Sequence, residues 1–405
     1  MIYRNYQLVA DVSDPIRRFA EHARDISLNW FDGKRITPLQ RMAAYYEQVA
    51  LLGFTHERPS FNIASITNAQ GQRVPVMETT AFRTPFCDLV RFCRDDAKDL
   101  PKLLLVAPMS GHFATLLRGT VQTLVQDHEV YITDWRNIRN IPMSEGEFGL
   151  DEYIEHIIWF MQHLGPNAHL MAVCQPTVAC LAATAVLAED RNDCQPASLT
   201  LMAGPIDTRV NPTQVNELAT SQPIEWFEKN LIGMVPLHFK GVGRRVYPGF
   251  MQLMAFLNMN LERHQQSFKN LYEHRVNGED EKADVIRDFY QEYFAIMDLS
   301  GPFYLETVKQ VFQDHALPKG QMTYRGRPLN LQAIRKTFLL TVEGERDDIC
   351  GMGQTLAAQD LCSMLPAYRK THHLQSGVGH YGVFNGKRWE SQIYPVVRSM
   401  IRSAH

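Results

Sequence analysis

Covalent acyl chemistry requires a nucleophile, a base and an orienting carboxylate, and this chain offers Cys174, His380 and the neighbouring Asp347 and Asp348 for those roles. Cys174 lies in the stretch AHLMAVCQPTVACLAATAVLA (168–188), where an apolar run stops at the cysteine and a run of small, helix-favouring residues begins. A thiol at such a corner can be a core residue, a metal ligand or a nucleophile. Taken alone, the corner favours plain packing, because free cysteine is among the most buried residue types.

The chain order of these groups, Cys then Asp then His, favours the nucleophile. In that arrangement the thiol attacks a carbonyl carbon, the imidazole of His380 takes the thiol proton or holds the thiolate, and a carboxylate fixes the imidazole tautomer. The residues alone leave open whether Asp347 or Asp348 is that carboxylate. Each group follows a predicted strand, and this joint placement predicts a nucleophilic Cys174 rather than a packing residue.

The corner at residues 172–176, Ala-Val-Cys-Gln-Pro, takes the position of the G-x-S-x-G nucleophile elbow without sharing its letters. Ala172 is small enough for the close approach of strand and helix at such a turn. Pro176 falls in the first helical turn, where its missing N–H costs nothing. A thiol at a helix N-terminus also has its thiolate favoured by the helix dipole.

Two backbone N–H groups are expected to form an oxyanion hole beside the thiol. In such elbows one donor is the residue after the nucleophile, which is Gln175 here. The loop Ala-Pro-Met-Ser-Gly-His (107–112) follows another predicted strand, and Met109 or Ser110 is expected to supply the second donor. Trp135, at the end of a further predicted strand, is a candidate wall of the substrate pocket.

Apolar strands alternate with helices along most of the chain, which predicts an α/β fold with a mostly parallel sheet flanked by helices on both faces. Residues 72–95 add one or two antiparallel strands, and two amphipathic helices precede them within residues 1–53. The predicted strands of the alternating part are 102–108, 129–135, 169–173, 197–204, 336–344 and 368–375. The predicted helices of that part are 113–127, 150–165, 177–189, 353–365 and 388–402.

The alternation is interrupted at residues 211–335, which are helix-like and rich in aromatic residues. The pattern predicts a helical lid inserted after the sixth core strand. The expected organisation is therefore residues 1–210 as the N-terminal helices and first part of the core, 211–335 as the lid, and 336–405 as the rest of the core.

Composition narrows the class of protein. The chain has 405 residues, 45% hydrophobic and 21% charged, with a net charge of −3, so no general attraction to nucleic acid or anionic membranes is implied. Seven cysteines without a C-x-x-C pair favour free thiols in a reducing compartment over disulfides or a zinc site. No secretion signal, metal site or cofactor motif is expected. The uncharged run 170–188 is not interpreted as a transmembrane segment, because Gln175 and Pro176 interrupt it.

Six segments together resemble the intracellular polyhydroxyalkanoate (polyhydroxybutyrate) depolymerases of the α/β-hydrolase superfamily, and the resemblance extends over nearly the whole chain. In that family a cysteine nucleophile acts on stored polyester. The resemblance implies Cys174 as nucleophile, His380 as base and an aspartate of the Arg-Asp-Asp-Ile segment. Related enzymes carry D-H-I there with the first Asp catalytic, which implies Asp347, with Asp348 in the place of the histidine. The segments are ERPSFNI (57–63), YITDWRN (131–137), AVCQPT (172–177), YRGRPLNLQAI (324–334), GERDDI (344–349) and GVGHYGVFNGKRW (377–389).

The resemblance also implies a cytoplasmic enzyme that associates with storage granules and cleaves short-chain polyester such as poly-3-hydroxybutyrate. Polymer contact is expected from exposed aromatic residues of the lid, with the N-terminal helices as a second contributor. Two other functions remain open. The same acyl-enzyme could pass its acyl group to coenzyme A or a growing polyester chain, or the protein could bind granules without catalysis. Oligomeric state has no signature in the sequence.

Overall fold

The computed structural model describes residues 2–29, 37–51, 53, 55–68, 70–97, 99–259 and 261–404. In chain order the strands are β1 Ser65–Thr67, β2 Arg73–Arg83, β3 Cys87–Arg94, β4 Lys102–Val106, β5 Glu129–Trp135, β6 His169–Val173, β7 Ser198–Met202, β8 Gly233–Met234, β9 Arg245–Tyr247, β10 Leu299–Ser300, β11 Thr323–Tyr324, β12 Arg327–Pro328, β13 Phe338–Gly344 and β14 Lys370–Gln375.

The α-helices of the described residues are α1 Ile2–Asn29, α2 Thr37–Leu51, α3 Arg118–Leu124, α4 Leu150–Leu164, α5 Thr177–Glu189, α6 Gln214–Thr220, α7 Ile224–Leu231, α8 Gly249–Met259, α9 Leu261–Asn277, α10 Asp280–Tyr293, α11 Gly301–Thr307, α12 Ala357–Leu361 and α13 Tyr394–Ser403. Short 3₁₀ or π turns extend three of them: Ala114–Leu117 before α3, Val308–Gln313 after α11 and Trp389–Ile393 before α13. None of the described helices combines the length and the apolarity that crossing a membrane requires.

A nine-stranded sheet in the order β1-β2-β3-β5-β4-β6-β7-β13-β14 forms the centre of the fold. The run from β5 to β14 is parallel, and β1, β2 and β3 add an antiparallel edge next to β5. This confirms the predicted, mostly parallel α/β architecture. Because the parallel strands point the same way, the loops that leave β4, β6, β13 and β14 emerge at one edge of the sheet.

Because successive side chains of the central strands point to opposite faces of the sheet, there are two buried cores, one on each face. Leu104 and Val106 pack with residues of α4 and α5 on one face, whereas Leu103 and Leu105 pack with residues of α3 and α13 on the other. Each of these side chains is essentially buried and contributes about 1.5–3 kcal/mol of hydrophobic free energy. The sheet is therefore a rigid base for the loops at its edge.

The chain between β7 and β13 carries α6 to α11 together with a small antiparallel sheet of β10, β9 and β8. Counting the three-residue β1, this insertion follows the seventh strand of the main sheet, whereas the sequence predicted the sixth. The helix-like interpretation of 211–335 is also wrong near its end, where β11 and β12 form a hairpin. Its loop, Arg325-Gly326, has positive φ at both residues, the geometry of a tight hairpin turn.

The predicted helix 353–365 is mostly irregular in the structure, and only Ala357–Leu361 is helical. Gly353 has φ 94°, which is outside the helical region, so a regular helix cannot run through it. The buried Glu343 carboxylate accepts hydrogen bonds from the backbone N–H groups of Gly353, Thr355 and Leu356, directly before the short helix α12. These bonds supply partners to N–H groups that the start of a helix leaves free.

The N-terminal helices α1 and α2 pack on the insertion. The Tyr3 hydroxyl of α1 donates a short hydrogen bond to the buried Asp298 carboxylate. From α2, Gln48 donates to the backbone carbonyl of Phe268, and the Glu47 carboxylate accepts from the guanidinium of Arg275 at 2.8 Å, measured from Nε. Helices α1 and α2 therefore hold the outer side of the insertion against the core.

Gly204, just after β7, is a point of close approach that helps to place the elbow helix α5. A Cβ at this position would lie 1.9 Å from Oγ1 of Thr177, the first residue of α5. The same threonine hydroxyl donates to the carbonyl of Cys174 at 2.9 Å. Only a residue without a side chain fits between the end of β7 and the start of α5.

We expect Gly204→Ala to lower the free energy of unfolding by about 2 kcal/mol, because the added methyl must displace Thr177 and the start of α5. The measurement is urea-induced unfolding followed by circular dichroism. Ala203→Gly is the matched control, since Ala203 has φ 48° and loses a Cβ, so its effect should stay within about 1 kcal/mol. Equal stability of Gly204→Ala and the wild type would contradict the packing assigned to this glycine.

Candidate active site

Cys174 lies at the turn between β6 and α5, at the carboxyl end of a central strand. Its φ is 67°, a left-handed conformation that is uncommon for a residue with a side chain. The turn is held by two backbone hydrogen bonds, from Cys174 N to the carbonyl of Met202 at 2.8 Å and from Thr177 N to the carbonyl of Cys174 at 3.2 Å. Neighbouring structure thus maintains the strained backbone and exposes the thiol at the sheet edge.

His380 and Asp347 meet at the same edge. The His380 Nδ1 atom lies 2.8 Å from Oδ2 and 3.0 Å from Oδ1 of Asp347, and both side chains are almost completely buried. Asp347 Oδ1 also accepts hydrogen bonds from the backbone N–H groups of Ile349 and Cys350 at 2.9 Å. The carboxylate is therefore fixed by its own loop while it orients the imidazole.

The charge of His380 depends on its two anionic partners. Burial alone lowers the pKa of the imidazole, but the Asp347 carboxylate and the Cys174 thiolate outweigh it and raise that pKa well above the ordinary value. The hydrogen bond from the imidazole to Asp347 adds to this shift. An imidazole oriented by Asp347 in this way is suited to exchange a proton with the side chain of Cys174.

Asp348 does not take part in this contact. Asp348 is exposed, and it lines a separate cavity that His380 also lines. Of the two aspartates that the residues alone left open, Asp347 is the one in contact with the histidine. Cys174 follows β6, Asp347 follows β13 and His380 follows the end of β14, so all three lie at the carboxyl edge of the parallel sheet.

The two expected oxyanion donors lie next to one another. The side-chain oxygen of Gln175 accepts a hydrogen bond from the backbone N–H of Met109 at 3.3 Å, which links the elbow to the loop after β4. Ser110 is half-buried and lines the same cavity as Cys174, Met109 and Gln175.

The insertion holds the loop of Met109 and Ser110 from the other side. Gly111 accepts a hydrogen bond from the backbone N–H of Met297 at 2.9 Å, and the imidazole Nε2 of His112 lies 3.1 Å from the carbonyl oxygen of Tyr293. Burial lowers the pKa of His112 to about 4, so this imidazole is neutral near neutral pH. The position of the loop therefore depends on the insertion as well as on the sheet.

A cavity of about 170 Å³, here called the apolar cavity, opens next to the thiol of Cys174. Its lining carries no charged side chain among the described residues. Apart from the elbow and the loop after β4, it is lined mainly by side chains of the insertion: Val215, Leu218, Ala219, Phe227, Tyr247, Gln252, Ala255, Leu299, Phe303, Tyr304, Thr307, Val308 and Phe312. Such a cavity suits a short, uncharged acyl group.

Trp135 is placed differently from the prediction. Its indole is buried, stacks on the ring of Tyr153 with centroids 4.6 Å apart, and donates to the carbonyl of Ala107 at 3.1 Å. The side chain points from β5 toward the α4 layer, because alternate strand residues face opposite sides of the sheet. It is not among the described residues that line the cavity beside Cys174, so the structure does not support a substrate-contacting role.

The aromatic side chains of the apolar cavity are the part of the site that the sequence did not identify. Tyr247, Phe303 and Tyr304 lie far from Cys174 along the chain, and only the packing of the insertion brings them to the thiol. No local motif marks them. Among the described residues, no group of three or more His, Cys, Asp or Glu side chains is placed to hold a metal ion.

The sheet order, the strained elbow and the positions of the cysteine, aspartate and histidine after β6, β13 and β14 define an α/β-hydrolase. The family described as PHB de-polymerase C-terminus matches residues 203–405, half of the chain. The chain belongs to this family of polyhydroxybutyrate depolymerases. It is therefore a carboxylic ester hydrolase, as the resemblance implied.

Solved structures with a similar fold were also found. The matched regions span 98–99% of each of these structures and 81–84% of this chain. At these identities and TM-scores the matches carry no argument about activity. The comparison with curated proteins found no match. The solved structures are DcsB in complex with its substrate analogue (14% identity, TM-score 0.45), 2-hydroxy-6-oxo-6-phenylhexa-2,4-dienoate hydrolase from Rhodococcus sp. strain RHA1 (13%, 0.43) and a thermophilic esterase from Thermogutta terrifontis (14%, 0.41).

The contact between Asp347 and His380 predicts a pH-dependent stability. Because the pKa of His380 is raised in the folded protein, the stabilisation is fully present below the unfolded value of about 6.5 and is lost as the pH rises through the folded value. Asp347→Asn should therefore destabilise the protein most below about pH 6.5, with a smaller effect in alkaline solution. The measurement is the free energy of unfolding across this pH range.

Asp348→Asn is the matched control, since it removes the same charge from the adjacent, exposed position. Its effect on stability should be small and should not follow the titration of His380. Imidazole NMR should also show a lower pKa of His380 in Asp347→Asn than in Asp348→Asn. The opposite ranking of the two variants would contradict the assignment of Asp347.

Proposed function

We propose that this chain hydrolyses the ester bonds of short-chain polyhydroxyalkanoates, such as poly-3-hydroxybutyrate, through an acyl-cysteine intermediate. In this proposal Cys174 is the nucleophile, His380 the general base and acid, and Asp347 the residue that orients the imidazole. The observation that carries the proposal is the buried His380 imidazole, held at 2.8 Å by Asp347 at the same edge of the sheet as the strained Cys174 elbow.

Acylation begins with attack of the Cys174 sulfur on an ester carbonyl. The negative charge that develops on the carbonyl oxygen is stabilised by the backbone N–H groups of Gln175 and Met109, with Ser110 at the edge of the same loop. As the tetrahedral intermediate collapses, the bond between the carbonyl carbon and the ester oxygen breaks. The His380 imidazolium then protonates the leaving alkoxide, and a thioester remains on Cys174.

Deacylation uses the same groups in reverse. His380, now neutral, removes a proton from a water molecule that attacks the thioester carbonyl, and the thiolate leaves. The product is a hydroxy acid, and the imidazolium–thiolate pair is restored. The uncharged lining of the apolar cavity and its volume of about 170 Å³ support a small hydroxyacyl group as the acyl half of the substrate.

An insoluble substrate requires a surface that adheres to it. We propose that the enzyme is cytoplasmic and associates with polyester storage granules. Of the insertion aromatics whose side chains are described, Trp226 is exposed and the others are half-buried or buried, so aromatics alone do not form an adhesive surface. The other exposed apolar side chains of the insertion are aliphatic: Leu218, Met234, Leu237, Val242, Met254, Leu261 and Val285.

Two patches are candidates for granule contact. The first is the end of β8 and the loop that follows it, where Met234 and Leu237 are exposed at 67% and 90%. The second is α1, where Ile16, Phe19 and Ile26 recur at spacings that place them on one helix face, and all three are exposed. Both patches could bury apolar side chains on a polyester surface.

Cys174→Ala should reduce ester hydrolysis by at least about a thousandfold while leaving the fold intact, because the nucleophile is lost and only one small side chain changes. The assay is release of hydroxybutyrate from amorphous polyhydroxybutyrate, with circular dichroism to check the fold. Cys174→Ser should also be severely impaired, since a hydroxyl depends on a base far more than a thiol does.

Cys194→Ala is the matched control for this experiment, since Cys194 is a free, half-buried thiol and is not among the described residues that line the apolar cavity. It should retain wild-type activity. Retention of more than about a tenth of wild-type activity by Cys174→Ala would contradict the triad, because loss of a catalytic nucleophile costs several orders of magnitude.

Replacing both Met234 and Leu237 with Ser should weaken sedimentation with amorphous granules, since two exposed apolar side chains no longer contact the polymer. Hydrolysis of a soluble p-nitrophenyl ester should stay within about twofold of the wild type, because neither residue lines the apolar cavity. A double replacement of Ile16 and Phe19 tests the α1 patch in the same way. Normal granule binding by both variants would show that adhesion lies elsewhere.

A further inference from the structure

A second cavity adjoins the active site on the side of His380. Its volume is about 490 Å³, and it is here called the polar cavity. Ile349 lines both this cavity and the apolar cavity, so the two are neighbours. The described residues that line the polar cavity are Arg263, His264, Ser267, Val285, Ile286, Phe289, Tyr290, Tyr293, Asp348, Ile349 and residues 377–382.

The division of catalytic groups between the two cavities gives each a chemical role. The thiol of Cys174 opens into the apolar cavity, whereas His380 lines the polar one. In the proposed hydrolysis the acyl group stays on Cys174 and the alcohol half takes its proton from His380. The acyl half of the ester is therefore expected in the apolar cavity and the alcohol half in the polar cavity.

Arg263 gives the polar cavity a permanent positive charge. It belongs to α9 of the insertion, and it is the one Lys or Arg among the described lining residues. Burial raises the pKa of Tyr293 and Tyr381 in the lining, and the positive charge of Arg263 partly offsets that rise. Asp348 opposes that effect on both tyrosines. Within the polar cavity, an anionic group is therefore favoured near Arg263 and disfavoured near Asp348.

The alcohol half of a polyester carries a carboxylate at one place only, the carboxyl terminus of the chain. When the scissile bond is near that end, the leaving group is a hydroxy acid with an alcohol at His380 and a carboxylate a few bonds away. An internal bond of a long chain has no such charge nearby. A guanidinium is well suited to bind the terminal carboxylate, because it forms charge-assisted hydrogen bonds with carboxylates.

We propose that the polar cavity binds the carboxyl-terminal unit of short, soluble polyester oligomers and that Arg263 receives its free carboxylate. This inference rests on the proposed hydrolysis and adds a substrate class to it: short oligomers with a free carboxylate, whose acyl half is small enough for the apolar cavity. The covalent steps remain those of the proposed function. Arg263 determines which ester bond is presented to Cys174.

The test compares two soluble substrates, the linear dimer of 3-hydroxybutyrate and the methyl ester of that dimer. Both contain the same internal ester bond, and only the first carries the carboxylate. We expect the wild type to cleave the free acid with the higher kcat/KM. Arg263→Gln should lower kcat/KM for the free acid by about five- to tenfold and leave cleavage of the internal bond of the methyl ester within about twofold.

Lys269→Gln is the matched control, since Lys269 is an exposed cation on the same helix and is not among the residues that line the cavity. It should behave as the wild type on both substrates. Competitive inhibition by free 3-hydroxybutyrate should weaken in Arg263→Gln, and Arg263→Lys should restore part of it. High salt should reduce the ratio of kcat/KM for the free acid to kcat/KM for the methyl ester in the wild type, since screening weakens an exposed charge pair.

The outcomes separate this inference from the function on which it rests. If wild-type enzyme cleaves both dimers equally, or if Arg263→Gln slows both by the same factor, carboxylate recognition by Arg263 is wrong while ester hydrolysis stands. If neither dimer nor amorphous polymer is cleaved by the wild type, the proposed hydrolysis is itself wrong, and the inference falls with it.

Discussion

The hydrogen-bonded contact between Asp347 and His380 is the interaction on which the rest of the site depends. Both side chains are almost fully buried, and a buried charge is stable only when it is paired and hydrogen-bonded. Asp347 meets this condition with the imidazole and two backbone N–H groups of its own loop. The sheet supplies the positions, because β13 and β14 are parallel neighbours whose carboxyl ends lie together.

The insertion turns this edge of the sheet into an enclosed site. It lines the apolar cavity with aromatic and aliphatic side chains, and its segment around Met297 is hydrogen-bonded to Gly111 in the proposed oxyanion loop. Excluding water strengthens every electrostatic interaction inside, including the stabilisation of an oxyanion. The helices α1 and α2 support the insertion from outside, so residues far from the thiol along the chain contribute to the geometry around it.

Much of this arrangement could be predicted from the sequence, because strong local patterns mark the strands and helices that place the site. Strand β6 and helix α5 have the predicted bounds, since an apolar run and a small-residue run meet sharply at Cys174. The predictions were wrong where tertiary contacts override local preference. The turn before α12 is irregular, with positive φ at Gly353, and Trp135 faces α4 because side chains alternate along a strand. The aromatic lining near Cys174 has no local signal, since packing of the insertion alone assembles it.

The central claim is that Cys174 forms a covalent acyl intermediate with a polyester substrate. Its most direct measurement is mass spectrometry of enzyme quenched with acid during turnover of amorphous polyhydroxybutyrate, followed by peptide mapping. The account predicts a hydroxybutyryl adduct on the peptide that contains Cys174, absent from Cys174→Ala and accumulating when deacylation is slowed. An adduct on another residue, or steady turnover by the Cys174→Ala variant, would contradict it.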